Sequence, residues 1–141
     1  MRSGAGGGSI GGMNFEPIKL AVAVAGWATA GQYALVEACV EAGTEIPAHV
    51  ARHEDVVLHV LRGELDVVVD RETRRVAAGQ TVTLDRGIPR RLAARERSRV
   101  LALIAPAGLE ELLSVAADPT VDPDDRAALL AVGGIQALPT A

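Results

Sequence analysis

Apolar runs between Ile18 and Leu109 are short, and glycine, proline or aspartate breaks them at Gly31, Gly43, Pro47, Gly63, Asp70, Gly79, Gly87 and Pro89. This punctuation constrains the chain more than any other feature. Runs of this length, rich in Val and Leu and bounded by turn formers, read as strands. The candidates are 18–25, 33–41, 56–62, 64–69, 73–77, 81–84, 90–95 and 100–105. Many short strands without intervening helices predict an all-β sandwich or barrel rather than alternating βαβ units. Residues 70–72, Asp-Arg-Glu, are expected to form a hairpin loop.

The pattern changes after Pro106. Within 108–117, Leu109, Leu112, Leu113 and Ala116 share one helical face. A second helix is predicted over 122–132. Asp122 is its N-cap, Pro123 lies in its first turn, acids follow, and Gly133-Gly134 stops it. Both helices are expected on the outside of the barrel or at a subunit contact. The predicted organisation is a glycine-rich linker over 1–12, a barrel over 13–107 and a helical tail over 108–141. No internal repeat is present.

With 141 residues the chain has material for one real core. Aromatics make up only 2% (Phe15, Trp27 and Tyr33), so Val, Leu, Ile and Ala must build that core. The same scarcity argues against platforms for stacking nucleic-acid bases. A net charge of −4 disfavours nucleic acid and anionic membranes as partners. No apolar run approaches the ~20 residues that span a bilayer. The single cysteine, Cys39, cannot form an internal disulfide and fits a reducing compartment, so a cytoplasmic protein is expected.

All three histidines lie in the stretch from Gly43 to Leu65, GTEIPAHVARHEDVVLHVLRGEL. Gly43 is followed six positions later by His49, Ala51 stands two further on, Val56 five beyond that, and Gly63 closes the stretch. A second stretch, GQTVTLDRGIPRR, carries Gly79, Asp85, Gly87 and Arg90, with Ala94 just after it. The glycine spacings, in this order, resemble the two motifs of the cupin superfamily. APAGLEELL and DRAALLAVGGIQALP resemble the ends of small bacterial cupins of the quercetin-dioxygenase-like kind, so the likeness covers 18–139. The resemblance implies a jelly-roll barrel (a double-stranded β-helix) with two short C-terminal helices, and a homodimer.

It also implies where chemistry would sit. In the family, two histidines at i and i+2 share one strand face, and a Glu on the next strand and a distant His complete a facial set for a divalent metal. Only His49 of these four is present here. Ala51 replaces the second His, Val56 the Glu and Arg90 the distant His; Asp85 and Ala94 replace a Pro and an Asn of the second motif. One imidazole does not hold a divalent ion against water, and a guanidinium pointing inward puts fixed positive charge where the cation would be. No metal and no cofactor are expected. A competing reading has His49, His53 and His59 converge, which would restore a metal-dependent oxidase. Strand alternation instead sends His59 to the face opposite Leu58 and Val60, and His53, with Glu54 and Asp55, reads as a solvated loop.

Each remaining residue has a functional and a plain reading. With an ordinary pKa near ~6.5, His49 is the best acid/base candidate in the chain, or it is a hydrogen-bonded remnant in a cavity. Arg90 clamps a carboxylate or enolate, or it snorkels to solvent or pairs with Asp85. Arg86, Arg91, Arg95, Arg97 and Arg99 read as solvated. Cys39 reads as inert core, and so do Trp27 and Tyr33, unless those two line the barrel mouth.

The leading expectation is a metal-free barrel that binds a small apolar or acidic organic molecule through His49, Arg90, Ala51, Val56 and His53. One alternative is a cofactor-independent isomerase or cyclase with His49 as acid/base and Arg90 stabilising negative charge. Another is a structural or regulatory dimer module whose barrel is filled by its own side chains.

Overall fold

The computed structural model describes residues 18–116 and 118–139. The expected linker over 1–12, together with Phe15, lies outside them. Among the described residues ten strands form two five-stranded antiparallel sheets. In chain order they are β1 (Ile18–Val24), β2 (Ala34–Val40), β3 (Glu45–Ala51), β4 (Asp55–Arg62), β5 (Glu64–Val69), β6 (Glu72–Ala77), β7 (Thr81–Leu84), β8 (Arg90–Ala94), β9 (Ser98–Ala105) and β10 (Ile135–Ala137). One sheet runs β1-β2-β9-β4-β7 and the other β10-β3-β8-β5-β6. The chain changes sheet repeatedly along its length, as a jelly roll does.

Alternation builds the interior. Val36 and Val40 on β2, Leu58 and Val60 on β4, Leu65 and Val67 on β5, and Leu92 and Ala94 on β8 all turn inward into one core. At the β5–β6 hairpin, Asp70 and Arg71 both take positive φ, the backbone that a two-residue hairpin turn requires.

Two strands escape the sequence reading. In β3, Ile46 pairs with Leu92 and His49 with Arg90, so three steps on β3 face two on β8. That is a bulge at Pro47-Ala48, where proline's missing N–H removes one ladder donor. The extra residue breaks the alternation and hides the strand in the sequence. β10 follows the Gly133-Gly134 stop and pairs with β3.

The tail corrects a second expectation. Helix α1 (Leu109–Ala116) buries Leu109 and Ala116, and α2 (Pro123–Val132) buries Leu130. These residues join the barrel core rather than coating its outside. Asp122 caps α2, its carboxylate accepting from Asp124 N at 2.8 Å. Buried Glu110 ties α1 to the short 3-10 turn Gly26–Thr29, accepting from Gly26 N at 3.0 Å and from Gly108 N at 2.6 Å. That turn carries Trp27, which is 85% exposed, and Tyr33 is exposed too, so neither packs in the core as expected. Cys39 is also not core. It lies half-buried on the outward-facing row of β2, between Lys19 and Arg99 on the neighbouring strands.

Candidate functional site

The two sheets and the helices line a half-open cavity of about 170 Å³. Leu109 and Leu113 of α1 and Leu130 of α2 contribute to its wall, so the tail closes one end. Nearly all of the wall is aliphatic. Its polar side chains are Thr44, His49 and Arg90.

The bulge explains His49. Thr44 and Ile46 line the cavity before it and His49 and Ala51 after it, because the inserted residue shifts the alternation by one. The same bulge supplies a partner. His49 Nδ1 lies 2.9 Å from Pro47 O, and a carbonyl only accepts, so Nδ1 carries the proton. The His49 pKa is lowered to about 4, chiefly by burial; the Pro47 hydrogen bond opposes the fall and the Arg90 charge adds to it. The ring is therefore neutral at pH 7, with a lone pair on Nε2.

Arg90 stands directly opposite His49 across the β3–β8 ladder. It is only 3% exposed. Its Nη2 donates to Leu84 O at 2.9 Å and to Asp85 O at 3.4 Å, while Nε has no partner among the described residues. The guanidinium thus meets the Asp85 backbone rather than its carboxylate, and it does not snorkel to water. Desolvation lowers its pKa, partly offset by Asp85, Asp55 and Glu54.

Ala51 and Val56 line the same wall, but His53 does not. His53 is exposed, with its ring against Gly134, where an added Cβ would come 2.5 Å from Cδ2. His59 points to the outer face and meets Thr81 Oγ1 at 2.8 Å through Nδ1. The three histidines therefore do not converge, and no group of three metal-ligating side chains forms among the described residues.

One residue read as solvated is not. Glu54 is 7% exposed, and its Oε1 has no partner among the described residues. Desolvation raises its pKa, against the pull of His53, Arg86 and Arg90. Its neighbour Asp55 does lie in water and pairs with Arg86 at 3.0 Å. Nothing in the local sequence separates the two carboxylates; the fold does. An acid whose pKa is raised on folding weakens the native state above that pKa, and the cost vanishes once both states are protonated. Glu54→Gln removes the buried charge and should accordingly stabilise the protein at pH 8. Thermal melts should show the gain shrinking as pH falls toward 4.

A two-sheet antiparallel barrel around an apolar, half-open cavity defines a small jelly-roll protein. The chain belongs to the cupin superfamily: the family model described as a cupin domain matches residues 36–105. Solved structures agree. A conserved Streptococcus pyogenes protein of unknown function is 25% identical with a TM-score of 0.56, over 67% of this chain and 79% of its own. KdgF from Halomonas sp. is 19% identical with a TM-score of 0.61, over 67% and 84%. Ectoine synthase from P. lautus is 20% identical with a TM-score of 0.59, over 70% of each chain. No curated protein sequence matches.

The residues at the positions where the family resemblance implies a metal do not suit one. They are one neutral imidazole, a methyl group, an isopropyl group and a buried guanidinium, from His49, Ala51, Val56 and Arg90. Three of these four offer no donor atom to a cation, and one repels it.

Proposed function

We propose that the protein binds a small organic molecule, apolar or acidic, inside the barrel and without a metal. The observation that carries this is the aliphatic cavity with His49 and Arg90 side by side on its wall. Pockets for small molecules have this composition, mostly apolar with a few placed polar groups. A purely structural barrel would be filled by its own side chains, and about 170 Å³ of this one is not. Acid/base catalysis by His49 is disfavoured. A pKa of about 4 leaves almost no acid form at neutral pH and makes the imidazole a weak base.

Native mass spectrometry of protein purified without chelator tests the reading. The expected species is metal-free and retains or takes up one organic molecule per barrel. A stoichiometric metal that disappears in His49→Ala would overturn it and restore an oxidase.

We also infer a homodimer, as the family resemblance implies. The outer face of the second sheet is an ionic mesh of Glu64, Asp66, Arg75 and Arg95. The outer face of the first carries a cross-strand apolar row, Val24-Leu35-Leu103-Val57, and that is the face we assign to the second copy. No helix among the described residues is long and apolar enough to cross a membrane. With its one free cysteine, the protein is assigned to the cytoplasm.

A further inference from the structure

We propose that the cavity takes a monoanionic, largely apolar hydroxy acid about the size of one six-membered ring, with its carboxylate on Arg90 and its hydroxyl donating to His49 Nε2. This deepens the binding reading above and rests on it.

Charge comes first. Burying a guanidinium is costly unless an anion and hydrogen bonds compensate it. Arg90 has the hydrogen bonds in part, through two backbone carbonyls, but among the described residues it bonds to no carboxylate. The acids that reach it electrostatically are Asp85, Asp55 and Glu54. Asp85 is exposed, Asp55 is committed to Arg86, and Glu54 does not line the cavity. Nε is sealed in the protein, so the donor left for an anion that comes from outside is Nη1, which bonds to nothing among the described residues. A single fixed charge balances a monoanion rather than a dianion. No carboxylate lines the wall, so nothing there compensates an amine.

The second group sets the second feature. With its Nδ1 proton held by Pro47 O, neutral His49 offers Nε2 as an acceptor only. An acceptor beside a cation selects a ligand that has a donor beside an anion. Directly opposed residues on antiparallel strands place their Cβ atoms about 5 Å apart. A hydroxyl a few bonds from a carboxylate spans that distance. Size comes from the cavity: about 170 Å³ is close to the ~150 Å³ that holds a benzene ring in an engineered core. Leu58, Leu92, Val100 and Ile104 supply the apolar wall for the remainder.

The test is a four-probe titration of the full chain, read by isothermal calorimetry and by methyl NMR of the cavity leucines and valines. The probes are 3-hydroxybenzoate, benzoate, benzamide and toluene. Benzoate is expected to bind at least about 10-fold tighter than its neutral isostere benzamide, the scale of a hydrogen bond to a charged group. 3-Hydroxybenzoate should gain a further ~3- to 10-fold. Arg90→Gln should erase the first preference and His49→Leu the second, with the methyl spectrum and thermal melt of each unliganded variant as the check that its barrel still folds. If Arg90→Gln does not fold, the wild-type ranking decides alone. Benzamide or toluene binding as tightly as the acids would overturn the hydroxy-acid assignment and leave the binding reading standing. A hydroxyl preference that survives in His49→Leu would remove His49 from it. No methyl shift with any probe, toluene included, would end both.

Discussion

Gly63→Ala should cost about 3 kcal/mol and lower Tm by about 10 °C, more than alanine at any other glycine of the two motifs. Gly63 is the single residue between β4 and β5, where the chain leaves one sheet for the other. Its φ is +89°, a region that costs an L-residue roughly 1–2 kcal/mol. A Cβ there would also strike Ser98 Oγ and approach Arg97 O to 2.5 Å. Ser98 cannot simply move. It is buried, its hydroxyl accepts from Glu64 N at 3.1 Å and donates to Glu96 O at 2.8 Å, and these bonds hold the strand crossing together. Overpacking against fixed backbone adds about 1–3 kcal/mol. Gly79 is the control: its φ is +87°, but a Cβ there meets nothing within 4 Å. Gly79→Ala should show the backbone cost alone, about 1–2 kcal/mol. Thermal and urea unfolding of the two variants separates strain from collision, and equal losses would refute the packing argument.

The contrast shows how much of this molecule can be read from its sequence. Strands bounded by turn formers are legible, and β4, β5 and β7 lie within a residue of where the pattern puts them. Asp122 and Pro123 likewise announced the start of α2. β3 was hidden because the bulge at Pro47-Ala48 breaks the alternation by which strands are recognised. Motif spacing still found His49 and Arg90, since spacing counts residues and does not require regularity. Glu54 could not be found. A carboxylate beside another carboxylate in a polar loop reads as solvated, and only the fold buries Glu54 while Asp55 stays outside and accepts from Arg86 of the β7–β8 loop. Trp27 failed in the opposite direction. Its size argues for core, but a short 3-10 turn pinned by Glu110 holds it out in solvent.

Ala51→His, Val56→Glu and Arg90→His together should convert the barrel into a divalent-metal protein, and the order in which the changes matter is set by electrostatics. His49 and residue 51 share one strand face, residue 56 lies on the next strand and residue 90 opposes His49, and all four positions line one wall. Ala51→His and Val56→Glu raise the donor count from one to three, the number that catalytic sites use. With Arg90 retained, however, a divalent ion about 5 Å from the guanidinium would be repelled by roughly 7 kcal/mol at an effective dielectric of ~20. That is enough to cancel most of what three ligands supply. The double variant should therefore bind Ni²⁺ or Zn²⁺ at least about 100-fold more weakly than the triple variant, whose final change removes the charge and adds a fourth donor. Calorimetry with each ion, and native mass spectra of the loaded proteins, would measure the difference. Equal affinity in the double and triple variants would show that Arg90 turns away from the ion. The site would then lack a metal only for want of ligands, and Arg90 would lose its claim to face the bound molecule. A large gap would show instead that Arg90 excludes cations over and above the donors lost at positions 51 and 56, the electrostatics that the proposed anion site requires.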